Sequence, residues 1–294
     1  MYRTNLDSKG LTQLTLYAGD EIRPAWSPDG LKLLYQVNQG ETWQIMMMNW
    51  DGSDIIQLTN EGNNQNPAWG PAGKQILFDS DRNGNRDIFT MDPDGKNQAA
   101  LTNTPANEFA PAWSPDGNTI AYLSEQDVTQ EECAKNAGGA CPQEIFFMDA
   151  KGAFLRKVVN LQQQIGGIVW SPDSRSLAAV VAYYEKSDIA LYDMQSQTLK
   201  PSIDLSGLLE SIYQTGPGSF ALRSFAFSPK GNNAVFCARQ DVTNKNSLRI
   251  VYSGCYLVGL DGSVLFALIR KEAIIYSNTD LEKAADYSGA VWQP

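Results

Sequence analysis

The 294 residues, 43% hydrophobic and 19% charged, have a composition close to the globular average, and no apolar run approaches the roughly 18 to 20 residues of a membrane-spanning helix. Acidic residues outnumber basic ones 33 to 23, and the net charge of −10 repels phosphate backbones and anionic lipid, so nucleic acid is not an expected partner. The sequence contains no histidine, which removes the commonest general base, the Ser-His-Asp triad and the most frequent zinc ligand, and the expectation is a protein that is not an enzyme and needs no cofactor.

Residues Tyr2 to Thr15 read as two strands, the second closing on Leu14-Thr15. Pro24-Ala25-Trp26-Ser27-Pro28-Asp29-Gly30 then reads as a strand ending in a tight turn, in which Pro fixes φ and Gly takes the left-handed conformation. A short apolar strand follows at Leu33-Leu34-Tyr35, a third at Ile45 to Met48 with an Asp51-Gly52 turn, and a poorer fourth around Leu58-Thr59. The same four-part pattern recurs. Its opening segment returns as Pro67 to Gly73, Pro111 to Gly117, Val169 to Asp173 and Ala226 to Gly231, and Val291-Trp292-Gln293-Pro294 begins a sixth copy. The second strand recurs at Ile76 to Phe78, Ile120 to Tyr122, Leu177 to Ala179 and Ala234 to Phe236. The third recurs at Ile88 to Met91, Ile145 to Met148, Ile189 to Tyr192 and Cys255 to Val258.

The aromatic positions 26, 69, 113, 170, 227 and 292 are separated by 43, 44, 57, 57 and 65 residues. A period in the low forties with insertions in later copies fits one four-stranded unit per repeat. Such a unit cannot bury both faces of its sheet alone, so the units must stack about an axis. The predicted fold is all-β, a single β-propeller domain over residues 1–294 built of four-stranded antiparallel blades. Six blades are predicted, with one composite or truncated at the termini: five run from Trp26 to about Leu268, and the N-terminal strand pair docks beside the C-terminal strand. Ile274 to Ser277 is a candidate further strand, and an excerpt from a longer propeller is the alternative. The recurring aromatic is expected to pack between blades.

The motif Pro-Ala-Trp-Ser-Pro-Asp-Gly, followed by Ile-Ala-Tyr, Ile-Phe-Phe-Met-Asp and Leu-Thr, resembles the TolB-like propeller repeat over nearly the whole chain. The resemblance implies six blades and a noncatalytic binding role in the cell envelope, hence an extracytoplasmic location. The repeat is also similar to that of propeller domains attached to serine peptidases and of sensor ectodomains of bacterial membrane kinases. TolB's N-terminal α/β domain has no counterpart within these residues. No signal-peptide pattern opens the sequence, so an exported form is expected to have lost its leader or to carry it outside these residues.

Strand direction alternates within a blade, so connections from second to third strand and from fourth to the next first strand must share one face. The long connections Glu125 to Gln143, Arg239 to Gly254, Pro201 to Leu222 and Ile269 to Gly289 all fall there, which marks that face for recognition of a protein or peptide. The candidate contact residues are Leu208, Leu209, Ile212, Tyr213, Phe220, Arg223, Arg239, Tyr276 and Tyr287. An equally weighted reading has the apolar ones plugging the loop onto the blades.

Cys133 and Cys141 bracket a small loop suited to a bridge, and Cys237 and Cys255 fall on facing strands of one hairpin, either as a second bridge or as two buried thiols. Bridges favour an oxidising compartment. Asp79, Asp81, Asn83 and Asp87 superficially resemble a calcium loop, but Thr90 stands where a bidentate carboxylate is required, and an ordinary hairpin accounts for the segment. The leading expectation is a noncatalytic propeller acting as an envelope scaffold or receptor ectodomain. The alternatives are the substrate-gating propeller of a serine peptidase, whose Gly-x-Ser-x-Gly elbow does not occur here, and a carbohydrate-binding propeller using Tyr276, Tyr287 and the acidic excess.

Overall fold

The structure, a computed structural model, describes residues 1–3, 12–17, 19–126, 128, 130–135, 141–183, 186–203, 219–228, 231, 233–243, 249–259 and 264–275. The chain divides between Gln163 and Gln164 into two compact units.

The first unit opens on the antiparallel pair β1 (Tyr2–Arg3) and β2 (Thr12–Gln13). One four-stranded sheet follows from β3 (Glu21–Trp26), β4 (Lys32–Asn38), β5 (Trp43–Asn49) and β6 (Ile56–Gln57), and a second from β7 (Asn64–Trp69), β8 (Ile76–Ser80), β9 (Asp87–Met91) and β10 (Ala99–Ala100). The third contains β11 (Glu108–Trp113), β12 (Thr119–Ser124), helix α1 (Gln130–Lys135) in the connection, β13 (Gln143–Asp149) and β14 (Phe154–Trp170). Strand β14 is long enough to serve twice. Its residues up to Gln163 pair with β13, and those from Gln164 pair with β15 (Ser176–Tyr183). The second unit continues with β16 (Lys186–Asp193) and β17 (Thr198–Ile203), then a sheet of β18 (Ser219–Phe227), β19 (Asn233–Thr243), β20 (Arg249–Gly259) and β21 (Val264–Ile275). Every described strand pair is antiparallel, as the β-propeller reading requires.

The repeat motif earns its recurrence through packing. Leu34, Ile45, Met47 and Leu58 of the first sheet form one buried cluster with Ile76, Phe78, Phe89 and Met91 of the second, and Trp69 lies against it. One repeat later Trp113 takes the same place against Leu77, Ile88, Ile120 and Tyr122. The tryptophans therefore pack between adjacent sheets of the first unit, and the indole N–H of Trp69 donates to the Ala25 carbonyl of the preceding sheet (3.2 Å).

Turn chemistry repeats as well. Ser27 Oγ donates to Asp29 (2.6 Å) and accepts from Lys32 N (2.8 Å). Ser114 with Asp116 and Ser171 with Asp173 repeat the pattern. Between third and fourth strands, Gly95 has φ +79° and lies so close to the Leu58 carbonyl of the preceding sheet that a Cβ would come within 2.9 Å. Gly52 and Gly152 meet Leu14 and Leu101 in the same way, which explains why Gly turns and Leu-Thr pairs recur together.

Three expectations need correction. The segment Arg239 to Gly254 is not a long loop, because β19 and β20 stay paired out to Thr243 and Arg249 as an extended hairpin. Ile274 and Ile275 are no separate strand either: they end β21, opposite Ile250 and Arg249. Continued main-chain pairing overrides the polar sequence that suggested a loop. The link read as Pro201 to Leu222 shrinks likewise, since its ends belong to β17 and β18. The N-terminal strand pair is present as β1 and β2, whereas the strand proposed at Val291 to Pro294 lies outside the described residues.

Candidate functional site

Hydrogen bonds sort the connections onto faces within the first unit. Trp43 N, at the turn into β5, donates to Asn63 Oδ1 (2.9 Å) in the link to β7, and Asn63 N donates to Asp81 Oδ1 (2.8 Å) in the β8–β9 turn. Asn85 Nδ2 donates to the Thr104 carbonyl (3.0 Å), and Asn107 Nδ2 to Glu125 (2.8 Å), so the next turn, link and insertion meet too. On the opposite side the short turns meet one another, as where Trp50 N donates to the Leu31 carbonyl (2.9 Å). That side nonetheless exposes the side chains of Leu31 and Trp50, which turn length alone did not single out.

The β12–β13 insertion meets the link before β11 on the link-bearing face. It carries α1 and is pinned by the Cys133–Cys141 disulfide, with Cys133 buried. Cys237 is also disulfide-bonded, and its register partner across the β19–β20 hairpin is Cys255. Leu208, Leu209, Ile212, Tyr213, Tyr276 and Tyr287 lie outside the described residues. Phe220 and Arg223 lie on β18 and Arg239 on β19, where it pairs with Ala221.

The first strand of each of the five repeats carries a register break just ahead of its aromatic residue. In the first unit the bulged residues Arg23, Asn66 and Ala110 occupy one repeat position and have φ of 57°, 51° and 52°. Each of the latter two amides is met by a buried acceptor of the preceding sheet: Asn66 N donates to Gln36 Oε1 (2.9 Å), and Ala110 N to Asp79 Oδ2 (3.0 Å). Asp79 is fully buried. It also accepts from Asn66 Nδ2 (2.7 Å) and forms an ion pair with Arg86, whose guanidinium lies 4.9 Å from the Phe109 ring centre. Burial pushes the Asp79 carboxyl up, and Arg86 opposes that shift.

A second polar cluster lies between the same sheets. Where the first two sheets meet, Asn64 Nδ2 donates to Gln44 Oε1 (3.0 Å) and Thr59 Oγ1 donates to the same oxygen (2.8 Å). One repeat later these positions hold Glu108 and Asp87, both buried and within hydrogen-bonding reach of each other. Thr104 donates to Glu108 Oε1, and Thr102 Oγ1 to Asp87 Oδ1 (3.3 Å), leaving Glu108 Oε2 and Asp87 Oδ2 without a donor. Burial raises both carboxyls first of all.

The candidate calcium segment is a hairpin in which three of the four candidate side chains meet protein groups. Asp79 faces Arg86, Asp81 accepts from Asn63, and Asp87 faces Glu108. Among the described residues, no group of three or more acidic or cysteine side chains is placed to hold a metal. No helix among them is long and apolar enough to cross a membrane. The arginine and acid clusters escaped sequence reading, although aligning the repeats column by column places Glu108 with Glu21 and Asp87 with Glu144, in columns that hold Asn64 and Gln44 elsewhere.

Four-stranded antiparallel sheets, stacked through recurring tryptophans and joined by matched turns, define a β-propeller. Residues 59–139 match the TolB beta propeller domain family, and residues 104–207 match a family described as eukaryotic translation initiation factor eIF2A. TolB from Acinetobacter baumannii superposes with a TM-score of 0.63 at 18% identity, over 94% of this chain and 59% of that one. A putative TolB from Agrobacterium tumefaciens gives 0.65 at 16% identity, over 92% and 88%. A curated relative, the uncharacterized peptidase YuxL of Bacillus subtilis, is 26% identical over 98 residues, or 33% of this chain and only 13% of the peptidase. The chain has a TolB-like β-propeller fold.

Proposed function

We propose that the chain is a noncatalytic, extracytoplasmic propeller that binds a protein or peptide through its link-bearing face. The observation that carries this reading is the β12–β13 insertion, where a helix and the Cys133–Cys141 bridge hold a protrusion on the face where links and turns converge. Rigid protrusions on a repeat scaffold suit recognition, because their shape changes without cost to the core. The bridge suits an oxidising compartment, and the TolB-like fold supports an envelope setting by analogy of fold. Catalysis has little to work with, given the histidine-free sequence.

The test is cross-linked capture from envelope extract, comparing the intact chain with two variants in which residues 127–140 or 204–218 are replaced by Gly-Ser linkers. Loss of the same captured protein from at least one variant supports the reading. Equal capture by all three overturns it. The match to YuxL favours one second reading, the gating propeller of a peptidase. A hydrolase domain in the same open reading frame supports that alternative, and a membrane anchor or lipoprotein signal supports the first.

A further inference from the structure

The sheet of β18 to β21 continues where others stop. In the second sheet the β8–β9 ladder ends at the Ser80–Asp87 pair, whereas β19 and β20 stay paired as far as Thr243 and Arg249. The outermost strand keeps pace: β21 has 12 residues, against two each in β6 and β10 and six in β17, which hold the same place in their sheets. From Cys255–Ile269 to Arg249–Ile275 the β20–β21 ladder is unbroken, and both of its register breaks lie on the other side of Cys255. Among the described residues β21 pairs with β20 alone. Residues 269–275 therefore form a straight strand edge about 20 Å long, with main-chain groups left over along one side. Such an edge invites a further strand unless proline, a bulge or charge blunts it. Neither proline nor a bulge occurs in this stretch. Charge does occur, and its sign is opposite to that of the chain: residues 219–275 hold seven basic and three acidic residues, an excess of four positive charges where the whole carries −10. Arg270 and Lys271 stand on the edge strand itself, one on each face of the sheet. Lys271 shares a cross-strand row with Ser253 and Arg239, and Arg270 shares the next with Gly254 and Ala238. Ala273, Ile274 and Ile275 complete the edge beyond Glu272.

We propose that the edge of β21 over residues 269–275 binds an extended segment of a partner protein as an added strand, with acidic residues of that segment beside Arg270 and Lys271 and apolar ones beside Ala273 to Ile275. Main-chain pairing supplies affinity, and alternate positions along the strand supply selection. Because the two basic residues fall on opposite faces, two neighbouring acidic residues of an incoming strand meet one each, and each opposite-charge pair adds to the pairing. The positive excess of this sheet steers an acidic segment towards it, while the acidic remainder of the chain repels such a segment elsewhere. An anionic bilayer is the poorer occupant, since headgroups offer no strand to pair and the net charge of the chain opposes approach. The inference deepens the peptide-binding reading and rests on it, but puts the contact on a strand edge and not on the β12–β13 insertion.

The experiment titrates the purified chain, labelled with nitrogen-15, with an end-blocked hexapeptide of two glutamates, a threonine and three valines, made in both sequence orders. The comparisons are the same peptides with glutamine for glutamate, two versions N-methylated at alternate peptide bonds, and vesicles of phosphatidylserine and phosphatidylcholine. Backbone signals and amide exchange of residues 269–275 report binding. Expected are saturable shifts there with an acidic peptide, binding at least about fivefold weaker for its glutamine counterpart and for the double variant Arg270→Gln, Lys271→Gln, and loss of binding by at least one N-methylated version. Alternate amides of the segment should exchange freely in the chain alone and slow on binding. The glutamine and N-methyl comparisons change only the peptide, so they decide the matter even where the double variant fails to fold. No saturable shift, equal binding of the glutamine peptide, unchanged affinity in a folded double variant, full binding by both N-methylated versions or tighter binding of vesicles overturns the proposal. Protection of every amide in the chain alone overturns it too, since the edge is then taken by another segment of this chain or by a second copy. The titration leaves residues 127–140 and 204–218 intact, so a failed capture experiment and a failed titration point to different errors.

Discussion

Replacing Glu108 by Gln should stabilise the protein at neutral pH and flatten its stability against pH. Asp87 and Glu108 are 0% and 1% exposed, and each retains one oxygen without a donor. A single proton shared between them satisfies both, while two ionised carboxylates at this range repel in a poorly solvated site. Both carboxyls are raised, chiefly by burial, so the folded state binds the proton more tightly than the unfolded chain does. The stability from that proton is complete below the ordinary carboxylate range and is lost as pH rises through the raised folded values. Among the described residues, the other titratable group shown to feel the pair's charge is Tyr122, pushed up to about 12 by burial and then by Glu108, and it stays neutral throughout.

The amide of Glu108→Gln can donate to the orphaned Asp87 oxygen, reproducing the Asn64 to Gln44 bond of the preceding repeat. Removing one buried unsatisfied acceptor is worth about 1–3 kcal/mol. In a chain of this size, each kcal/mol moves the melting temperature by roughly 2–4 °C. Thermal and urea melts from about pH 4 to about pH 8 should show variant and parent converging at the acid end and separating towards neutrality. Asp87→Asn should act in the same direction. A variant less stable than the parent at neutral pH, or two parallel pH curves, would refute the shared-proton argument.

Asp79→Asn leaves the Arg86 guanidinium facing a neutral partner and should cost about 3–5 kcal/mol in urea unfolding, since breaking one side of a buried pair strands the other. Gly95→Ala combines a φ of +79° with a Cβ only 2.9 Å from the Leu58 carbonyl, and should destabilise by more than about 1 kcal/mol in the same assay, whereas Gly40→Ala, at a similar φ of +89° but with nothing within 4 Å of its Cβ, should cost less. Cys133→Ser should lower stability by at most about 2–3 kcal/mol, with local hydrogen exchange rising around α1; unchanged protection there would show that the bridge does not organise the insertion.

Much of the architecture is legible in the residues because its causes are local or strictly periodic. Trp26, Trp69 and Trp113 mark first strands, the Pro-Asp-Gly and Asp-Gly segments mark turns, and alternating strand direction then assigns connections to faces, which the Asn63, Asn85 and Asn107 contacts bear out in the first unit. The extended β19–β20 hairpin escaped that reading, since Arg239 to Thr243 is polar and only continued pairing with β20 makes it strand. The double service of β14 escaped too, because no Gly or Pro turn separates its halves and the partners on either side decide where one blade's edge becomes the next blade's start.

The sequence by itself determined the repeat, the turn chemistry and the absence of histidine, properties carried by neighbouring residues or by simple composition. Only the tertiary structure decided which polar groups meet. Asp87 and Glu108 are separated by 21 positions and Asp79 and Ala110 by 31, yet the stacking of sheets brings each pair together. Whether a carboxylate is a solvated surface charge, a shared-proton pair or the counterion of an arginine depends on burial and partners, and those exist only once the sheets have packed.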